Sequence, residues 1–288
     1  MGAMHISKGI FSLHVRRALA AKSWRYALLL SLTIVAASFV QLCLNFWGYD
    51  AAELPSASVA WVGNHGYMKT PLFGLWIFML MFPLLSAVYG DAFYVHRRDG
   101  LIAALVTRTS KARYLLSGGC VAFLGAFLVA LGVLLVSQLI SFIAFPVDAG
   151  RDAFALSFNS PSSDVNQWGA WSDSLLFSEL YLGNRYLYNL LFCIYDAVWA
   201  GLMALASYVL SCYVKRSRVV TLGVPTLVYL ALSNFLPLEI NLSSYVGLVV
   251  SWTPGGSVTF FALAPLVFLA LLVAALALPL VLKRDVLL

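Results

Sequence analysis

The sequence predicts an all-α polytopic membrane protein with six transmembrane helices, and three observations carry that prediction. The first is composition: 62% of the 288 residues are hydrophobic, 10% are charged, and the mean hydropathy is +0.90. Soluble domains hold about 45–50% apolar and about 25% charged residues, so a water-soluble globular protein is excluded. The second is a set of six nearly uncharged runs, at about 24–47, 72–89, 114–144, 186–213, 219–236 and 258–282. At about 1.5 Å per helical residue, an 18-residue run reaches roughly 27 Å, just enough for a bilayer core about 30 Å thick. The third is the placement of cations. With the N-terminus inside, every one of the 18 Lys and Arg except Lys69, Arg151 and Arg185 falls on an inner segment, which is a strong positive-inside bias. An even number of spans returns the C-terminus to the cytoplasm.

Before the first span, residues 4–23 carry two apolar stripes, Ile6, Ile10 and Leu13 on one and Phe11, Val15 and Leu19 on the other, with basic residues between. This predicts a helix lying in the inner interface. No small-residue cleavage pattern follows the first apolar run, so that run is expected to be a retained span rather than a signal peptide. The connection between spans two and three, Asp91 to Arg113, holds Leu101 and Leu105, with Ile102 beside them, between two basic clusters. It predicts a short amphipathic helix on the inner surface. In span three Gly118, Ala122, Ala126 and Ala130 recur every four residues, a stripe that lets helices approach closely in lipid.

The long outer loop, 145–185, ends in an aromatic-rich stretch with Trp168, Trp171, Phe177 and Tyr181, suited to the interface. Span four contains Asp196, the single carboxylate within a span. An intramembrane acid is costly and marks a polar pathway by default, so Asp196, Gln138 and Asn189 form a candidate translocation path. A structural hydrogen bond from Asp196 to Asn189 or Gln138 is the alternative. Segment 237–257 is too apolar for a solvated loop and is punctuated by Pro237 and Pro254-Gly255-Gly256. It reads as a re-entrant outer turn before span six.

Several chemistries are absent. The nearest approach to a phosphate-binding loop, Gly63-Asn64-His65-Gly66-Tyr67-Met68-Lys69-Thr70, has Met68 where the second glycine is needed and falls outside. The four histidines, His5, His14, His65 and His96, make no metal set, and the four cysteines lie in or beside apolar runs with no CxxC pair. There is no nucleophile elbow and no HExxH helix. The chain is expected to be a single transmembrane domain over 1–288 with no nucleotide-binding domain, no cofactor, no metal and no catalysis of its own.

One inner segment resembles a known family. Gly100-Leu101, Leu105, then Arg108-Thr109-Ser110-Lys111 leading into Tyr114, with the tail Leu282-Lys283-Arg284-Asp285, are similar to the membrane subunits of type-2 ATP-binding-cassette exporters. That family also has an inner-surface N-terminal helix, six spans and a re-entrant segment before the sixth. It often places Glu before the glycine and Thr after it, where this chain has Asp91, Asp99 and Leu101. The resemblance implies export of a hydrophobic or amphipathic substrate across the cell membrane, most plainly a bacterial plasma membrane. It implies separate cytoplasmic ATPase subunits that bind ATP and Mg, and a second copy or a homologous permease. Membrane lipid is the remaining partner, and no nucleic acid is expected. The ATPase-coupling residues would be Asp91, Arg97, Arg98, Asp99, Gly100, Leu101, Leu105, Arg108, Ser110 and Lys111. The competing readings are an ion-coupled secondary transporter using Asp196 and a non-transporting immunity or assembly protein.

Overall fold

A computed structural model of the protein describes residues 2–64, 68–106, 110–149, 176–215, 217–237, 240–247 and 257–281. Every regular element among them is helical. Helix α1 (Gly2–Ala20) is followed after two residues by α2 (Ser23–Asn45). The inward stripe of α2 is Ala27, Ser31, Val35, Ser38 and Leu42, while Leu29, Leu30, Val40 and Leu44 are exposed. Ala27, Ser31 and Ser38 on the inward stripe are small, as expected where lipid replaces water and close packing replaces the hydrophobic drive.

The second apolar run differs from its expected extent. It is helical over α3 (Pro71–Leu75), a π turn (Trp76–Leu80) and α4 (Met81–Ser86), not over 72–89. Pro71 opens α3 at a position where its missing N–H costs nothing. Pro83 sits inside α4, where it cannot donate to the preceding turn, and the widened turn just upstream accommodates it. Beyond Ser86 the chain runs in turns close to Ala204, and a Cβ on Gly90 would lie 2.6 Å from the Ser86 carbonyl and 3.0 Å from that of Ala204. Among the described residues five helices are long and apolar enough to cross a membrane, and the Pro71–Ser86 stretch is shorter.

The next two helices, α5 (Ala92–Arg98) and α6 (Leu101–Val106), are joined through Gly100, whose φ of +69° favours glycine. Helix α7 (Lys111–Ala144) is N-capped by Ser110, whose Oγ accepts the Arg113 N–H at 3.4 Å. After α8 (Ser178–Gly183), α9 (Arg185–Tyr213) is capped by the Asn184 side chain accepting the Leu187 N–H at 3.1 Å, and α10 (Arg218–Phe235) by Ser217. A 3₁₀ turn (Leu242–Ser244) precedes α11 (Val258–Val281).

Helix α9 is the mast of the bundle, packed by α4, α7, α10 and α11. Its tightest contact is with α7, where a Cβ on Gly118 would lie 2.1 Å from the Tyr208 hydroxyl and one on Gly201 would lie 2.8 Å from the Phe123 ring. Ala122, Ala126 and Ala130 continue the Gly118 stripe and are fully buried. Segment 56–62, between α2 and α3, is also buried although it is not helical, with Ala57, Ala60 and Val62 at 0% exposure. Buried irregular backbone needs partners. Ala57 N–H donates to the Pro146 carbonyl at 2.8 Å, and Trp61 Nε1 donates to Ser137 Oγ at 2.8 Å.

Candidate functional site

The polar and charged side chains gather at the two ends of α9. At its C-terminal end, Arg97 on α5 donates to the Cys212 carbonyl at 2.8 Å and the Val214 carbonyl at 3.4 Å, satisfying carbonyls that a helix end leaves without an intrahelical partner. Asp91, just before α5, is buried and forms an ion pair with Arg218 at the first residue of α10. Burial raises the Asp91 carboxyl above the usual carboxylate range, and the Arg218 charge opposes that shift. Burial likewise lowers Arg97. The α5–α6 connection is thereby fastened to the ends of two other spans.

Beside it lies a buried aromatic and imidazole cluster. His14 Nδ1 and the Tyr89 hydroxyl share a hydrogen bond of 2.9 Å, and His96 Nδ1 and the Tyr114 hydroxyl share one of 2.6 Å. The two imidazole centroids are 5.8 Å apart, and that of His14 is 4.9 Å from the Tyr114 ring. Burial first, and the Arg17 charge second, pull both imidazoles down to about 4. Burial also raises the Tyr89 hydroxyl. The histidines are therefore neutral near pH 7, and the cluster is a set of packed hydrogen bonds between α1, α5 and α7. No group of three or more His, Cys, Asp or Glu suited to a metal occurs among the described residues.

The sequence reading of the coupling segment is met unevenly. Arg98, Asp99 and Gly100 are exposed at the α5–α6 corner, where Arg98 Nε lies 3.3 Å from Asp99 Oδ1. Ser110 and Lys111 are exposed at the start of α7. Ile102 is 3% exposed and Leu105 packs against the core, so the inward face of α6 runs through those two residues. Leu101 is half-buried and lies outside that core. The apolar face expected on Leu101 and Leu105 is thus divided: Leu105 packs inward with Ile102, and Leu101 stands at the edge of that face. Arg108 lies outside the described residues.

At the other end, Asn189 Nδ2 donates to Gln138 Oε1 at 2.8 Å and to the Ser58 carbonyl at 2.9 Å, while Gln138 Nε2 donates to the Ala57 carbonyl at 2.8 Å. The pair holds the buried 56–62 segment. Asp196 stands apart: its Oδ1 accepts the Gly247 N–H at 3.0 Å, and it is 2% exposed. Gly247 has φ +81° and follows the buried Tyr245 and Val246. Asp196 is eleven residues past Arg185, so this contact lies roughly 16 Å along α9 from its start. The expected re-entrant turn is described only over 240–247; residues 248–256 lie outside the described residues.

Helices α10 and α11 both rest on α9 and leave an apolar cleft of about 500 Å³ lined by Trp199, Met203, Tyr229 and Phe268. Sequence reasoning passed over His14, Tyr89 and Arg218 because their partners lie far away in the chain, and no local spacing signals such contacts. No protein-family model, curated protein or solved structure matches this chain.

Proposed function

We propose that the chain is the membrane-spanning permease subunit of an ATP-binding-cassette exporter, with six spans, both termini in the cytoplasm and a re-entrant outer segment before the last span. It works in the plasma membrane, is not itself an enzyme, and moves a hydrophobic or amphipathic substrate outward. ATP and Mg are bound by separate cytoplasmic ATPase subunits, and a second copy or a homologous permease completes the path. The observation that carries this reading is the α5–α6 hairpin. It follows the second apolar run, its corner is exposed, and Arg97 and Asp91 tie it to the end of α9 and the start of α10. A push on α6 reaches two helices, α9 and α10, through those ties, as rigid-body rearrangement of packed helices requires. The apolar cleft between α10 and α11 suits an amphipathic cargo.

The test is purification of the tagged chain from its native membrane with assay of Mg-dependent ATP hydrolysis on the resin. Hydrolysis is expected to co-purify and to fall at least about tenfold with Leu101→Asp, since a charge in an apolar contact costs more than the roughly 1.5–3 kcal/mol of burial it replaces. Size-exclusion behaviour of the membrane protein should not change. Absence of any hydrolysis with the wild-type chain rejects the reading, and undiminished hydrolysis with the variant removes α6 from the coupling.

A further inference from the structure

We propose that the cleft between α1, the start of α2, α5 and the start of α10 binds the phosphodiester headgroup of an anionic phospholipid in the inner leaflet. The cleft holds about 640 Å³ and is lined by Arg17, Lys22, Arg98 and Arg218 against one acid, Asp91. That acid is already paired with Arg218, and Arg98 is paired with the exposed Asp99. Neither Arg17 nor Lys22 has an ion-pair partner among the described residues. Positive charge is therefore left in a concave site without an internal counter-ion.

Two further features select a lipid rather than a free anion. Lys22 and Ser23 line the cleft at the N-terminus of α2, a 23-residue helix whose N-cap supplies no side-chain hydrogen bond. The first turn of α2, at the positive end of the helix dipole, borders the same space as the cations, an arrangement suited to phosphate. Tyr26 also lines the cleft and is 66% exposed, and Leu29 and Leu30, three and four residues further, are 61% and 47% exposed. One face of α2 therefore runs from the charged cleft into an apolar track, headgroup above and acyl chain below. Trp24, whose Nε1 donates to the Leu19 carbonyl at 2.9 Å, and Tyr26 mark the level of the membrane boundary. Basic pockets between spans on the cytoplasmic side are the sites that anionic headgroups occupy. The inference goes beyond the transport proposal and takes from it only the cytoplasmic side of the cleft, and its readout is binding alone.

The experiment uses the full chain in neutral detergent, titrated with dioctanoyl-phosphatidylglycerol, dioctanoyl-phosphatidylcholine or inorganic phosphate. Thermal stabilisation is measured together with native mass spectrometry of retained lipid. The expected result is one phosphatidylglycerol per chain, little stabilisation by phosphatidylcholine or phosphate, and weakening by salt. Each cation near the surface is worth about fivefold in affinity, so Arg17→Gln with Lys22→Gln should weaken phosphatidylglycerol about 25-fold. Lys22 is exposed, so Lys22→Gln alone, expected to be about fivefold weaker, carries the test if the Arg17 change disturbs α1. Equal stabilisation by phosphatidylcholine, equal stabilisation by phosphate, or unchanged affinity in the variants overturns the proposal. Variants that keep lipid selectivity but lose a cytoplasmic protein partner assign the cleft to an acidic protein surface and also overturn it.

Discussion

Helices α9 and α11 both read as membrane spans, with 29 and 24 residues, yet 78% of the most apolar stretch of α9 is buried inside the protein and only 11% of that of α11. The more apolar helix is the outer one. Helix α11 has a single hydroxyl, Thr259, and no other polar side chain, whereas α9 carries Asn189, Asp196, Ser207 and Ser211, all buried. In water the order would be reversed. In lipid, burying a Leu side chain gains little over leaving it among acyl chains, so the interior is given to small residues that pack closely and to polar ones that hydrogen-bond. Helix α9 is interior because of its Gly, Ala, Ser and Asn, not in spite of them.

The comparison is broken most severely by filling the α7–α9 contact. Gly118→Leu places a side chain where even a Cβ overlaps the Tyr208 hydroxyl, so a loss of more than about 3 kcal/mol is expected, read as loss of the monodisperse peak and of the thermal transition. Gly118→Ala combined with Tyr208→Leu should recover part of it. Gly223→Ala on α10, where no atom lies within 4 Å of the added carbon, should leave the protein intact.

Acid sharpens the comparison, because the buried imidazoles lie near the C-terminal end of α9, where Phe93 bridges Tyr114 and Tyr208 at 6.2 and 6.4 Å. Burial and Arg17 lower both His14 and His96 from 6.5 to about 4, so the unfolded chain takes up protons first as the pH falls. Their contribution is complete above pH 6.5 and is lost as the pH falls from there toward 4. At pH 5 the loss is at most about 2 kcal/mol per histidine. Arg17, Tyr89, Tyr114 and Asp99 are the groups facing them. A melting temperature that does not fall between pH 7 and 5 would remove this account, and replacing both histidines with Gln should flatten the slope.

Asp196→Leu removes the acceptor of the Gly247 N–H and should cost about 1–3 kcal/mol, the range for a buried donor left alone. Asp196→Asn keeps an acceptor and should melt close to wild type with its activity intact. If Asp196→Asn instead abolished uptake driven by an ion gradient with no ATPase present, the secondary-transporter reading would replace ours. Arg97→Gln should cost about 1 kcal/mol through the uncapped end of α9, seen as faster amide exchange around Cys212. The smallest effect belongs to α11: Leu271→Ala, 62% exposed, should change the melt by less than about 0.5 kcal/mol.

Five apolar runs, 24–47, 114–144, 186–213, 219–236 and 258–282, were legible because membrane partition is a local property that a window of about 20 residues reports almost completely. The run at 72–89 was only partly legible. Its apolar content is continuous, but the helix ends at Ser86 and passes into turns that bring Gly90 close to the Ala204 carbonyl, a contact with no local signal. The packing stripe of Gly118, Ala122, Ala126 and Ala130 could be read from its spacing, but not its partner Tyr208, which is 90 residues away.

Sequence alone determined that the chain is rich in long apolar helices and that one of them holds one costly acid. Each follows from the partition of a side chain between water and lipid, which depends on that side chain and its near neighbours. Only the tertiary structure decided what those polar groups do. Asp196 meets Gly247 across 51 residues, His14 meets Tyr89 across 75, and Asn189 meets Ser58 across 131. It also placed the small and weakly apolar segment 56–62 inside the bundle, where Gln138, Asn189 and Ser137 satisfy it. Hydrogen bonds in a low-dielectric interior are specified by which helices stand side by side, and no periodicity within a single helix contains that information.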